Sequence, residues 1–254
     1  MPSHYRSRFQ IALLLILNIS LAGNLWLFQR SDQYYRELHA TRLDPLGLNA
    51  YASAPPSTSR DPQVYQHTIV FFGDSRAADW PAPTDFPNVL FLNRGIGAQT
   101  SAQAVGRFNV QIPPLHPDLI VIQVGINDLK TIPLFPDQAT QIVADCKTHI
   151  RQLVEQARRI QATVIVTTIM PVGQLPLERR LYWSEAVRSA IAEVNASIES
   201  LQGPEVIVLD TTAVLADAQG QLREEYSRDF LHLNEAGYAA LNQMLASAIR
   251  RVAR

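Results

Sequence analysis

The sequence predicts an α/β protein with a doubly wound, five-stranded, mainly parallel sheet and helices on both faces. From residue 67 onward, short apolar runs alternate with longer stretches in which apolar residues recur at helical spacing. The short runs are rich in β-branched residues on both faces, as expected of buried parallel strands. Each run is also followed by a Gly, Pro, Asn or Asp, residue types that turn the chain.

The elements follow one another in the order β-α-β-α-β-α-β-α-β-α, which is typical of crossover connections between parallel strands. In such a sheet, ligands bind beyond the carboxyl ends of the strands, so the segments after the first three strands are where chemistry is expected. The strands are predicted at 68–72, 89–92, 119–124, 163–169 and 206–209, and four of the five helices at 99–108, 136–160, 177–201 and 235–252.

The chain is predicted to have three parts. Residues 1–30 form a signal anchor or signal peptide, residues 31–66 a linker, and residues 67–254 a globular domain large enough to bury one core. The linker ends in the Ala-, Pro- and Ser-rich stretch YASAPPSTSRDP, a composition that favours an exposed spacer.

The N-terminal segment has two interpretations. Residues 9–28 are nearly all apolar, and about 20 helical residues span about 30 Å, the thickness of a bilayer core. A retained single-pass anchor is favoured because the apolar run continues to Phe28, beyond Ser20-Leu21-Ala22, where a signal peptidase would cut. Both interpretations place the domain outside the cytoplasm, in the periplasm, at the cell surface or secreted.

Composition and motif content argue against a nucleic-acid partner, a metal and a cofactor. The formal net charge is -1 and no basic stripe is present, so no nucleic-acid partner is expected. The single cysteine, Cys146, lies within a helical pattern and is predicted to be a small buried or half-buried apolar residue. No HExxH motif or Cys/His cluster occurs, so we expect no metal and no cofactor.

Polar segments follow the first three strands, and a fourth precedes the last helix. Ser75 follows the first strand, but a serine hydroxyl is a poor nucleophile unless a base takes its proton. His232 is the candidate base, because it is the only one of the six histidines placed in a turn with a carboxylate three residues earlier. Asp229 could orient that histidine, although a backbone carbonyl could do so instead. The segments read Gly73-Asp74-Ser75-Arg76, Asn93-Arg94-Gly95-Ile96-Gly97, Gly125-Ile126-Asn127-Asp128 and Asp229-Phe230-Leu231-His232-Leu233-Asn234.

These four segments, in this order, resemble the sequence blocks of the SGNH hydrolase family, the GDSL-type esterases and lipases. The resemblance extends over about residues 68–238 and implies a flavodoxin-like SGNH fold. It implies a catalytic triad of Ser75, His232 and Asp229. It also implies an oxyanion hole formed by the Ser75 and Gly95 backbone N–H groups and the Asn127 side chain.

The chain departs from the common family form at Arg76, where leucine often stands. We interpret this arginine as making local contacts in preference to facing an anionic group of the substrate.

Each block also has a simpler structural interpretation. Ser75 could cap a helix, Gly95 and Asn127 could be turn residues, and His232 could be a surface histidine. The occurrence of all four blocks in order, each at a strand end or a helix entry, favours the catalytic interpretation.

The sequence therefore predicts a serine esterase that hydrolyses carboxylic esters through an acyl-Ser75 intermediate. Expected substrates are acetyl or other short acyl esters of cell-surface glycans, or a lysophospholipid. Residues 131–136 and 170–177 follow strands and are expected to line the acyl site, with Leu134, Phe135 and Leu175 as an apolar wall. The alternatives are an acyltransferase that uses the same triad and a non-catalytic binding domain of this fold.

Overall fold

The computed structural model describes residues 3–51, 64–180 and 182–252. The chain divides into two compact units, residues 1–45 and residues 46–254. The second unit therefore begins at Leu46, ahead of the predicted start of the domain at residue 67. Most of the predicted Ala/Pro/Ser-rich spacer lies outside the described residues.

The first unit consists of one long helix, α1 (Ser3–Leu43), which continues into the predicted linker. Its continuation is supported by an i,i+4 ion pair between Arg36 and Asp32, with 2.7 Å between nitrogen and oxygen. Residues 8–43 contain an 18-residue window of mean hydropathy 2.1 that is not buried by other parts of the chain. By length and composition, α1 is the one helix among the described residues that is able to cross a bilayer. N-terminal signal sequences share this property.

The second unit contains a five-stranded sheet in which all pairs are parallel, which confirms the predicted doubly wound α/β fold. The spatial order is β2-β1-β3-β4-β5, so the chain reverses direction across the sheet after β2. Such a reversal opens a crevice at the carboxyl ends of the strands beside β1, where ligands bind in open α/β sheets. The strands are β1 (His67–Gly73), β2 (Val89–Gly95), β3 (Leu119–Gln123), β4 (Thr163–Thr167) and β5 (Val206–Leu209).

The helices occupy the predicted stretches with one main difference. The helix predicted at 177–201 is divided into a 3₁₀ turn, Leu177–Arg179, and a later α-helix that begins at Glu185. Between them, Trp183 packs edge-on against Phe230, with ring centroids 5.8 Å apart. The helices of this unit are α2 (Ser75–Ala78), α3 (Ser101–Gln111), α4 (Ile126–Leu129), α5 (Ala139–Arg159), α6 (Glu185–Glu199), α7 (Thr212–Leu215) and α8 (Glu235–Val252).

The core lies on both faces of the sheet because strand side chains alternate in direction. On β1, Val70 and Phe72 belong to one buried cluster, with side chains of α3, α5 and α6. Ile69 and Phe71 belong to the other, with side chains of α8. Cys146 of α5 is fully buried in the first cluster, as predicted, and burial raises the pKa of its thiol.

Candidate active site

The turn after β1 presents Ser75 at the edge of the sheet. Gly73 has φ +150°, and a Cβ there would lie 1.7 Å from the Gln123 carbonyl oxygen, so only glycine lets the turn pass β3. Asp74 is the N-cap of α2, and its Oδ1 accepts a hydrogen bond from the Arg76 N–H at 2.9 Å. The capping role therefore belongs to Asp74, and Ser75, the first residue of α2, has its hydroxyl free for another partner.

The three side chains predicted as a triad form one hydrogen-bonded chain. Ser75 Oγ lies 3.0 Å from His232 Nε2, although the two residues are 157 positions apart. His232 Nδ1 lies 2.8 Å from Asp229 Oδ2. The His232 and Asp229 side chains are 25% and 46% exposed, so a small molecule can reach this group.

Asp229 is set up to remain a carboxylate. Partial burial raises its pKa, but hydrogen bonds from the Leu231 N–H and from His232 outweigh that effect and hold the pKa below its ordinary value. The backbone N–H groups of Leu231 and His232 each donate to its Oδ1 at 2.8 Å. A carboxylate at this position favours the tautomer with the proton on His232 Nδ1, which leaves Nε2 to accept a proton from Ser75.

Arg76 makes local contacts and does not face the solvent. Its side chain is almost fully buried. Its Nε donates to the Leu231 carbonyl at 2.8 Å, and its Nη1 donates to the Met170 carbonyl at 2.9 Å. Because Leu231 directly precedes His232, Arg76 ties the nucleophile turn to the histidine loop.

The three predicted oxyanion donors differ in availability. Within residues 3–51, 64–180 and 182–252, the Ser75 N–H has no acceptor. Asn127 Nδ2 donates one hydrogen to the Gln99 carbonyl at 2.9 Å and keeps the second. The Gly95 N–H, in contrast, already donates to Asn93 Oδ1 at 2.8 Å.

Gly95 has a steric role in the structure. A Cβ at this position would lie 2.1 Å from the Ala78 backbone nitrogen, so glycine lets the end of β2 pack directly on α2.

Ala98 has a backbone N–H donor that the sequence did not predict. It has φ 62°, an uncommon conformation for alanine, and is exposed. Its N–H has no acceptor in the part of the chain that the structure describes. It directly precedes Gln99, whose carbonyl accepts from Asn127. The closely spaced glycines at 95 and 97 indicated a tight turn, but not which N–H the turn leaves free.

A second Ser/His/Asp group lies nearby and differs in geometry. Ser101 Oγ lies 3.1 Å from His149 Nδ1 and 2.6 Å from Asp128 Oδ1. Here the carboxylate bonds to the serine and not to the histidine, and Ser101 is fully buried. Asp128 also accepts from the Ser101 N–H at 2.8 Å, so this group fastens the start of α3 to the turn that bears Asn127.

A cavity of about 410 Å³ lies beside His232. Leu134, Trp183 and Phe230 supply apolar surface, and Lys130 and Arg179 supply positive charge. Of the three residues predicted as an apolar wall, Leu134 lines this cavity, Leu175 lines a neighbouring cavity of about 450 Å³, and Phe135 is half exposed. Among the described residues, no group of three His, Cys, Asp or Glu side chains is placed to hold a metal ion.

Comparison with known proteins identifies the family. The profile of the GDSL-like Lipase/Acylhydrolase family matches residues 71–240, a range that contains all four blocks. The chain belongs to this family. The predicted resemblance to the GDSL-type SGNH hydrolases is confirmed, and the protein is a carboxylic ester hydrolase.

Named relatives of this GDSL-like hydrolase include acetylhydrolases. The platelet-activating factor acetylhydrolase IB subunit alpha1 of Pongo abelii is 28% identical over 206 residues, which cover 77% of this chain and 79% of that protein. The subunit alpha2 of Homo sapiens is 29% identical over 166 residues, which cover 63% of this chain and 65% of that protein.

Solved structures share the fold. A GDSL-like lipase from Bacteroides thetaiotaomicron superposes with a TM-score of 0.63 at 21% identity, over 81% of this chain and 98% of that one. A catalytic mutant of an acetylxylan esterase from Geobacillus stearothermophilus superposes with a TM-score of 0.53 at 16% identity, over 74% and 95% of the two chains.

Proposed function

We propose that this hydrolase cleaves esters by nucleophilic catalysis with Ser75 as nucleophile, His232 as base and Asp229 as the residue that orients the base. The observation that supports this assignment is the continuous hydrogen-bonded chain from Ser75 Oγ through the His232 ring to Asp229, with distances of 3.0 and 2.8 Å. A nucleophile, a base and an orienting group within hydrogen-bonding reach are what acyl transfer requires.

In the first half of the reaction, neutral His232 takes the Ser75 proton through Nε2 while Oγ bonds to the ester carbonyl carbon. The imidazolium then donates that proton to the leaving alcohol oxygen as its bond to carbon breaks, which leaves an acyl-Ser75 ester. In the second half, His232 takes a proton from water, the hydroxide oxygen attacks the acyl carbon, and Ser75 recovers its proton as the acid leaves. Asp229 remains a carboxylate throughout and stabilises the imidazolium.

The oxyanion of each tetrahedral intermediate is proposed to accept hydrogen bonds from the Ser75 N–H and from the second Asn127 amide hydrogen. Gly95 can be the third donor only if the hydrogen bond from its N–H to Asn93 Oδ1 breaks. The Ala98 N–H has no such bond to break, and we propose it as the third donor in place of Gly95. Loss of one such donor typically lowers kcat about 100-fold or more.

We propose that the acyl group is short, with acetyl as the first candidate. This proposal rests on the names of relatives and neighbours, which include acetylhydrolases and an acetylxylan esterase. The alcohol part of such a short ester would belong to a cell-surface glycan, and a lysophospholipid is the alternative substrate. Either substrate fits a domain held outside the cytoplasm by α1 as an uncleaved anchor, which is the arrangement we propose.

Fluorophosphonate labelling with matched serine variants tests the nucleophile. The wild-type protein should be labelled and should hydrolyse 4-nitrophenyl acetate. Ser75→Ala should abolish labelling and lower kcat about 10³-fold or more. Ser101→Ala is the control, because Ser101 also contacts a histidine but is fully buried, and it should keep its labelling.

Both variants should first be shown to be folded by thermal denaturation. Labelling that survives in Ser75→Ala, or that is lost only in Ser101→Ala, would overturn the assignment. If Ser75 is labelled but an added sugar or lipid acceptor takes up the acyl group faster than water does, the protein is an acyltransferase. If no label is taken up by folded wild-type protein, the domain is a binding module.

A further inference from the structure

The cavity beside His232 carries a concentration of positive charge. Lys130 follows α4 and is half-buried, and Arg179 lies in the 3₁₀ turn after β4 with its guanidinium 5.9 Å from the centroid of the Phe230 ring. Within the described part of the chain, neither side chain makes a hydrogen bond or an ion pair with a carboxylate.

Among the described residues no carboxylate pairs directly with either cation, and the attraction between Lys130 and the buried Asp74 acts at longer range. Burial lowers the pKa of Lys130, the buried Asp74 raises it, and the nearby Arg179 and Arg76 lower it further. The one carboxylate that lines the cavity, Asp229, is already bonded to His232 and two backbone N–H groups. Two like charges at the wall of one partly apolar cavity are costly in the empty protein, and a bound anion would remove that cost.

The position of the cavity indicates which part of the substrate enters it. It is lined by His232 and by Asp229, Phe230 and Leu231, and not by Ser75 or Asn127. In the proposed mechanism, which this inference requires, His232 Nε2 passes its proton to the leaving alcohol. By that mechanism the alcohol part would leave on the histidine side, where the cavity that contains Lys130 and Arg179 lies.

We propose that the alcohol part of the natural substrate carries an anionic group, a phosphate or a carboxylate, that binds Lys130 and Arg179. The planar guanidinium suits a bidentate contact with either group, and the ammonium adds a point charge beside it. The apolar surface of Trp183 and Phe230 reduces solvent screening of these contacts.

A matched series of acetyl esters tests the proposal. The substrates are 1-acetylglycerol, 1-acetylglycerol 3-phosphate and 3-acetylglycerate, which share the acyl group and a primary alcohol and differ in charge at the third carbon. We expect kcat/KM to be about tenfold or more higher for at least one anionic ester than for the neutral one. The phosphate and carboxylate arms show which anion the site takes.

Variants of the two cations connect any preference to this cavity. Lys130→Met and Arg179→Met should each lower the ratio of anionic to neutral kcat/KM about tenfold, and Lys130→Arg should restore most of it. Arg180→Met is the control, because Arg180 lines the neighbouring cavity, and the ratio should stay at the wild-type value. Added salt should lower the wild-type ratio.

A wild-type ratio near one for both anions, or a high ratio that Lys130→Met and Arg179→Met leave intact, would contradict the proposal. An anion on the acyl side gives a further check: 1-succinylglycerol should show no such gain over 1-butyrylglycerol. The proposed function fails separately, when Ser75→Ala still hydrolyses the neutral ester.

Discussion

At the scale of single residues, buried charged side chains hold the backbone around the nucleophile. Arg107 is fully buried and donates to the Gly73 carbonyl at 2.9 Å and to the Arg94 carbonyl at 2.8 Å. Its guanidinium also lies 4.1 Å from the centroid of the Phe72 ring. Burial lowers its pKa to about 10, so it remains charged near neutral pH and joins the ends of β1 and β2.

Asp74 makes the stability of the fold depend on pH. Burial raises its pKa from 3.8 to about 6 against the opposing effect of Arg76, and its Oδ2 has no hydrogen-bond partner among the described residues. Between these two pH values the folded protein binds more protons than the unfolded chain, so its stability falls as the pH rises. The full effect is on the order of 3 kcal/mol and is complete above about pH 7.

Asp74→Asn should remove this contribution, while the amide oxygen of the introduced asparagine keeps the bond from the Arg76 N–H. Urea denaturation of both proteins at several pH values from 4 to 8 measures the difference in their free energies of unfolding. We expect the wild-type protein to lose stability relative to the variant as the pH rises. Parallel curves for the two proteins would show that the Asp74 carboxyl does not titrate in this range.

At the scale of elements, the contact between β2 and α2 positions the nucleophile. The end of β2 lies against α2 because residue 95 is glycine, and Asn93 Nδ2 donates to the Ala77 carbonyl at 2.8 Å. Since α2 begins with Ser75, any displacement of this helix also moves the hydroxyl away from His232. Close packing between β2 and α2 therefore stabilises the fold and also keeps the Ser75 hydroxyl near His232.

Gly95→Ala should disrupt this contact. The added Cβ would meet the Ala78 nitrogen at 2.1 Å, so we expect a loss of about 3 kcal/mol or more in the free energy of unfolding, or failure to fold. Any folded fraction should label poorly with fluorophosphonate. Gly97→Ala is the control, because nothing lies within 4 Å of its added Cβ, and it should change stability by about 0.5 kcal/mol or less. Equal stability of the two variants would show that β2 and α2 can separate without cost.

At the scale of the whole molecule, the catalytic unit is longer than the region matched by the family profile. Leu46 and Gly47 accept hydrogen bonds through their carbonyls from the side chains of Gln99 and Gln111, at 2.9 and 3.1 Å. The Tyr51 hydroxyl donates to the Gly95 carbonyl. The segment 46–51 therefore braces the turn after β2 from outside.

Truncation separates the two possible domain boundaries. A chain that begins at residue 46 should keep the activity of the full-length protein, whereas a chain that begins at residue 67 loses the 46–51 segment. We expect the shorter chain to melt about 4–8 °C lower, on the basis of about 2 kcal/mol of lost contacts, and to have a lower kcat. Differential scanning fluorimetry and 4-nitrophenyl acetate hydrolysis measure both effects. Identical Tm and kcat for the two chains would contradict a role for this segment.

The sequence by itself determined the fold class, the positions of the five strands and the identities of the residues that meet at Ser75. These features are readable because periodicity reports which residues are buried, and because parallel strands bring their carboxyl ends to one edge. The polar segments that follow the strands are therefore expected to meet at this carboxyl edge of the sheet.

Only the tertiary structure decided the burial of Arg76, the bond that occupies the Gly95 N–H, the free N–H of Ala98 and the inclusion of residues 46–51 in the catalytic unit. It also decided that Lys130 and Arg179, which stand in separate parts of the sequence, line one cavity. The physical reason is that hydrogen-bond partners and burial depend on packing between distant segments, and local sequence patterns do not report that packing.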